Sequence, residues 1–157
     1  MDLVPVGAGE RGSLSTGVRW TVRPRPDSDG NYGRLHAQSV ESGKPMWVQR
    51  QRAPFTTGTL VTAGGLVFVG TLDRAFQAYD AANGTLLWKT RLNDVPSQAP
   101  ISFAAKGREY VGMVVGPGGY QSTSYDVLVP EIKNPPDHGA ALWVFEVPTG
   151  AATRPSR

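Results

Sequence analysis

The chain has 157 residues, the size of one domain or a piece of one, and 39% of them are apolar, with no stretch near the roughly 18 consecutive apolar residues of a membrane helix. Zero cysteines exclude disulfides, thiolate zinc sites and a cysteine nucleophile. Sixteen Lys and Arg against 13 Asp and Glu leave +3, and only Arg23, Arg25, Arg50 and Arg52 approach a cluster, so the continuous basic stripe of a nucleic-acid binder is missing and no nucleic-acid partner is expected.

The start, MDLVPVGAGERGS, shows neither the basic n-region nor the apolar h-region of a secretory leader. Residues 1–32 read as a connecting segment or a partial unit. Within them Asp27-Ser28-Asp29-Gly30-Asn31 places oxygen donors at alternate positions, as a calcium loop begins, but no closing Glu follows at the twelfth position. A polar turn is the reading preferred here, from the turn preferences of Asp, Asn and Gly.

Self-similarity begins next. LHAQSVESGKPMW, Leu35 to Trp47, aligns without gaps on FQAYDAANGTLLW, Phe76 to Trp88, at a spacing of 41 residues. Ala37 meets Ala78, Ser39 meets Asp80, Gly43 meets Gly84 and Trp47 meets Trp88. Alternation in AFQAYD and TLLWKTRL predicts strands, and Asn83-Gly84 predicts a tight hairpin turn because both residues tolerate positive φ. Between and after the copies lie the apolar runs TLVTAGGLVFVGT and APISFAAKGREYVGMVVG. A weaker third copy, ALWVFEVPTG from Ala141 to Gly150, aligns on Ala75 to Gly84, so an insertion is expected at about 120–139, where Pro130, Pro135 and Pro136 fall. Residues 151–157 are a tail, and the repeat region spans 33–150.

No window places apolar residues at helical spacing, and about four short strands per repeat of roughly 40 residues is the arithmetic of a β-propeller blade. The expected fold is therefore all-β, a partial β-propeller of about three blades; a sandwich with accidental similarity is the rival. Trp47 and Trp88, one hairpin beyond a Gly, are assigned to packing between blades, with the small Ala leaving room for the ring.

The pattern in AQSVESGKPMW and AYDAANGTLLW resembles the tryptophan-docking repeat of the quinoprotein dehydrogenases, eight-bladed propellers that bind pyrroloquinoline quinone (PQQ). TGTLVTAGGLVFVGTLDRAFQAYDAANGTLLWKTRL, from Thr57, looks like the late blades of the PQQ-dependent alcohol dehydrogenases, and the likeness continues through REYVGMVVGPGGY and HGAALWVFEVP. The resemblance implies oxidation of an alcohol, or of a sugar or polyol, with PQQ as acceptor and a calcium or lanthanide ion polarising the quinone. It implies cofactor contact at Gly119 and Tyr120, where the family has Gly-Trp, and puts the aromatic that stacks on the quinone in methanol dehydrogenases at Thr56, which cannot stack. The family's catalytic Asp and its metal-binding Glu and Asn fall in earlier blades, so no catalytic or metal residue is assigned here. The chain is accordingly expected to be a C-terminal part, with Met1 an internal position or a misplaced start, inactive alone and prone to aggregate or to pair with the remaining blades. A periplasmic location and a cytochrome or membrane quinone as electron acceptor follow from the family. The alternative is a non-catalytic propeller scaffold for protein binding, since assembly scaffolds of the bacterial envelope share the Gly-to-Trp repeat.

Other candidates are assigned structural roles. Asp73-Arg74 reads as a hairpin corner with at most a local ion pair, and Asp80 as a turn-capping acceptor. His36 and His138 have no second ligand at helical spacing, GPGGYQ lacks the last Gly and the helix of a dinucleotide loop, and Asn83-Gly84-Thr85 is explained by the turn rather than by glycosylation.

Overall fold

The computed structural model describes residues 2–3, 18–19, 23–116, 125, 127–133 and 139–147, and among them there are strands and no helix. Four antiparallel sheets form in sequence order. Strands β1 (Asp2–Leu3) and β2 (Val18–Arg19) make a short pair, and β3 (Gly33–Gln38) and β4 (Pro45–Gln51) make a hairpin. A four-stranded sheet follows in the order β5 (Leu60–Val61), β6 (Leu66–Gly70), β7 (Ala75–Asp80), β8 (Leu86–Arg91). The last sheet holds β9 (Ile101–Ala105), β10 (Arg108–Val115) and β11 (Ala141–Val147) in the order β11-β10-β9; counted within the repeat region, the β3–β4 hairpin, the four-stranded sheet and this one are the first, second and third sheets, or units. Consecutive strands pair with their neighbours, which is the meander of a propeller blade, and the chain is a partial propeller.

The repeat sets the register. Ala37 lies opposite Trp47 and Ala78 opposite Trp88, and each hairpin has its register shift immediately after that Ala. A small residue facing an indole leaves space for the ring on the pleated surface. The turns match as well: Gly43 N–H donates to the Ser39 carbonyl at 2.9 Å and Gly84 N–H to the Asp80 carbonyl at 2.8 Å. The turn differs from the tight Asn-Gly hairpin that the sequence suggests. Only Gly84 takes a left-handed φ, +75°, while the Asn83 side chain accepts a hydrogen bond from Thr85 N–H at 2.8 Å. The loop is wide because the Asp80 N–H and carbonyl bond Thr85 and Gly84, so Asn83 acts through its amide oxygen instead of its backbone freedom.

Asp80 caps this turn by accepting from Ala82 N–H at 2.7 Å. Asp80→Ala should therefore lower stability by about 0.5–1.5 kcal/mol, read as a shift in the urea midpoint with an unchanged denaturant slope.

In the four-stranded sheet the inner strands β6 and β7 are buried on both faces, while β8 is largely exposed. One face sends Phe68, Phe76 and Ala78 against Val111, Met113 and Val115 of the third sheet, with Phe145 and Val147 beside them. The other packs Val67, Val69 and Tyr79 against Leu35 and Phe55. Tyr79 lies at 4% exposure, its hydroxyl donating to Gln77 Oε1 at 2.7 Å, and Gln77 in turn donates to Gln51 Oε1 at 3.1 Å across to the first hairpin. Burial, reinforced by Asp73, holds the Tyr79 phenol above its ordinary value. Its neutral form is favoured by folding, so its contribution is complete below the ordinary tyrosine value of about 10 and is lost as pH rises through the folded value. Alkaline denaturation should show that loss, and Tyr79→Phe should remove it, both followed by tyrosinate absorbance and circular dichroism.

The indoles join the units as the repeat requires. Trp47 donates from Nε1 to the Ala81 carbonyl at 2.9 Å and lies against Gly84, whose hypothetical Cβ would sit 2.6 Å from Trp47 Cε3. Trp88 packs edge-on against Phe76 and against Phe145 of the third sheet, at centroid separations of 5.8 and 5.2 Å. Trp143 stacks on Phe145 and donates to Asn93 Oδ1 at 2.6 Å. The outer face of the third sheet exposes Ile101, Val144 and Leu142 at 57%, 47% and 60%. By register, Ile101 and Val144 occupy the row of Leu60 and Ala78, which the next sheet covers.

Candidate functional site

The end of the sheets at which β6 and β10 finish is where the connections gather. Phe55 bridges Thr71 and Pro96 bridges Val115. Thr56 N–H donates to the Gly70 carbonyl, and its hydroxyl to the Pro96 carbonyl, each at 3.0 Å. Gly70 N–H donates to Thr57 Oγ1 at 2.9 Å, and a Cβ on Gly70 would meet Pro96 Cβ at 2.3 Å, so only glycine allows the two connections to close over β6. Asp94, 1% exposed, accepts from Val95 N–H at 2.7 Å within the same knot. Gly116 opens the GPGGY run from this end, with φ +139° and its N–H on the Val95 carbonyl at 3.0 Å.

Gly119 and Tyr120, the two expected cofactor contacts, lie outside the described residues, as does His138. Thr56 is described and offers a quinone no aromatic face, and its hydroxyl is already committed to Pro96. Among the described residues no group of three or more His, Asp or Glu converges as metal ligands would. The described part of this end thus does not by itself fit a quinone–metal centre.

The remaining sequence candidates have structural surroundings. Asp27 to Asn31 form turns, with Asp29 and Gly30 at φ +49° and +75°. His36 stands on β3 opposite Val48. Asp73 accepts a short hydrogen bond from the Thr71 hydroxyl, and its cationic partner is Lys89 at 3.8 Å, not the adjacent Arg74. Arg74 takes a left-handed φ of +66° at the corner and reaches instead toward the Asn93 carbonyl at 3.4 Å, which carries its charge away from Asp73.

A second cluster was only partly visible in the sequence. Residues 116–140 connect β10 to β11, where residues 71–74 suffice between β6 and β7. Leu128 and Val129 of this longer connection pack on Leu72 and Val95. Arg52 holds it from the first unit, with Nε 2.6 Å from Glu131 Oε1, Nη2 donating to the Leu128 carbonyl at 2.8 Å, and its guanidinium over the Tyr32 ring. Hydrogen bonding to Arg52 holds the Glu131 carboxyl below the ordinary range. Beside it, Arg23, Arg25, Arg34 and Arg50 line one cleft together with Asp27. Arg25 grips the Asp27 carboxylate with two hydrogen bonds, of 3.0 and 2.7 Å, and so keeps it ionised. Arg34 carried no sequence signal because its neighbour is set by the hairpin register.

Comparison with known proteins agrees with this architecture. Residues 25–111 match the PQQ family model, described as glucose/ethanol/alcohol dehydrogenase, beta-propeller domain, and the chain belongs to that family. Among curated relatives it is 33% identical over 139 residues to the quinoprotein ethanol dehydrogenase of Pseudomonas aeruginosa, covering 88% of this chain and 22% of that protein. It is 37% identical over 112 residues to the 1-butanol dehydrogenase (cytochrome c) of Thauera butanivorans, covering 69% of this chain and 16% of that one. Among solved structures, a europium-containing methanol dehydrogenase superposes with a TM-score of 0.67 at 28% identity, covering 76% of this chain and 24% of that chain. The chain therefore spans less than a quarter of the length of these relatives.

Proposed function

We propose that these blades belong to a PQQ-dependent alcohol dehydrogenase, in which they supply part of the propeller and, through Gly119 and Tyr120, part of the cofactor wall. The observation that carries the reading is the docking of Trp47 on Gly84 and Ala81 of the following unit, the interaction that the quinoprotein repeat encodes, in a chain of that family. PQQ is the electron acceptor, with a calcium or lanthanide ion, and the catalytic base and metal ligands lie in other blades of the ring. The exposed apolar face of the third sheet supports further blades as partners. A cytochrome acceptor is supported by the name of the Thauera relative, and the location proposed is periplasmic.

The test supplies the closed ring carrying these blades with PQQ and either calcium or a lanthanide, and follows reduction of an artificial dye. Turnover with a primary alcohol is expected. Absence of both turnover and PQQ binding in equilibrium dialysis would favour a protein-binding scaffold, a second reading that the non-aromatic, already bonded Thr56 supports.

A further inference from the structure

The first unit carries a charge arrangement that the quinoprotein reading does not use. Arg34 and Arg50 are direct cross-strand partners in the β3–β4 hairpin. Like charges placed opposite each other on one face of a sheet repel, and proteins tolerate the pairing where an anion sits between them. Among the described residues that line the same cleft the one carboxylate is Asp27, and it is oversubscribed. Its carboxylate already receives Arg25 at 2.7 Å, Arg50 approaches it at 3.4 Å and donates to its backbone carbonyl at 2.6 Å, and Arg34 makes no ion pair or side-chain hydrogen bond among the described residues.

These groups line a cleft of about 210 Å³, which Arg23 also borders, with Tyr32 and Tyr125 as walls. Among the described residues lining the cleft, four guanidinium groups stand against one carboxylate, a surplus of positive charge. A cleft of this size takes a few heavy-atom groups and not a polymer, and guanidinium forks match the paired oxygens of carboxylate and phosphate.

We propose that this cleft binds a small multivalent oxyanion, a di- or tricarboxylate or a phosphate group, bridged between Arg34 and Arg50. Arg23 and Arg25 complete the cationic wall, and the tyrosine rings limit the size of the guest. The site is built from the segment before β3, the β3–β4 hairpin, and Tyr125 and Leu128, and it stands whether or not the ring is a dehydrogenase.

Calorimetric titration of the closed ring carrying these blades with citrate, and separately with inorganic phosphate, at one fixed ionic strength tests this. Saturable binding of one anion per chain is expected for at least one probe, and which probe binds identifies the group. Arg34→Gln removes no ion pair or side-chain hydrogen bond among the described residues, so it should leave the circular dichroism unchanged while weakening that binding about tenfold, the cost of one charge-assisted pair. Arg91→Gln, on the exposed β8 strand away from the cleft, should leave affinity unchanged. Absence of saturable binding with both probes overturns the proposal, as does equal weakening by the two substitutions, which would mean diffuse charge attraction. Displacement of citrate by a short oligonucleotide that binds more tightly and is itself lost in Arg34→Gln would also overturn it, reassigning the cleft to nucleic acid.

Discussion

Phe76→Ala should cost about 3–5 kcal/mol, the range for removing a fully buried aromatic side chain whose cavity cannot collapse. Phe76 is 0% exposed and touches three other rings, Phe68, Trp88 and Phe145, at centroid separations of 5.7, 5.8 and 5.6 Å. Two of them belong to its own sheet and the third to β11, so the loss falls on the seam between two units as well as on one core. Urea denaturation followed by tryptophan fluorescence should show a large fall in midpoint, while Phe76→Leu, which keeps most of the volume, should lose less than half as much. A fall below about 1 kcal/mol for Phe76→Ala would mean that the two sheets do not share this core.

Gly84→Ala should cost about 2–4 kcal/mol, and the reason lies on the neighbouring unit. A Cβ there takes a left-handed backbone, worth about 1–2 kcal/mol, and must also displace the Trp47 ring, 2.6 Å away, with its hydrogen bond to Ala81. Gly43 provides the internal control. It has nearly the same φ, +67°, but the nearest atom to its hypothetical Cβ is 4.0 Å away, so Gly43→Ala should carry only the backbone cost. The difference between the two denaturation midpoints isolates the docking of one blade on the next. Equal losses would show that Trp47 gives way freely.

The contrast between those glycines shows what the sequence could encode. Ala, Gly and Trp recur at fixed spacing because each is tied to a register position, so the strand pairs Ala37 with Trp47 and Ala78 with Trp88 could be read from letters alone. That Gly84 is pressed by an indole and Gly43 is not depends on a neighbouring unit, and no local pattern reports it. The same holds at the candidate sites. Arg23, Arg25, Arg50 and Arg52 stood out by proximity in sequence, yet Arg52 is drawn away to Glu131, and the residue that completes the cleft, Arg34, is brought in by the hairpin. Asp73 was placed at its corner correctly, but its partner Lys89 comes from the adjoining strand β8. Local turn chemistry is a property of a few consecutive residues. Ion-pair partners are a property of how sheets are laid side by side.

The long connection between β10 and β11 has a consequence for cooperativity. In a repeat array each unit normally meets only its neighbours, so the ends can unravel separately. Here Glu131, emerging from the third unit, is clasped by Arg52 at the end of the first, 79 residues earlier in the chain, and Leu128 settles on Leu72 between them. A tie across 79 residues carries the loop-closure cost of a long-range contact. It joins the first and third units across the middle one, so a single urea transition, the same by fluorescence and by circular dichroism, is expected in place of blade-by-blade fraying.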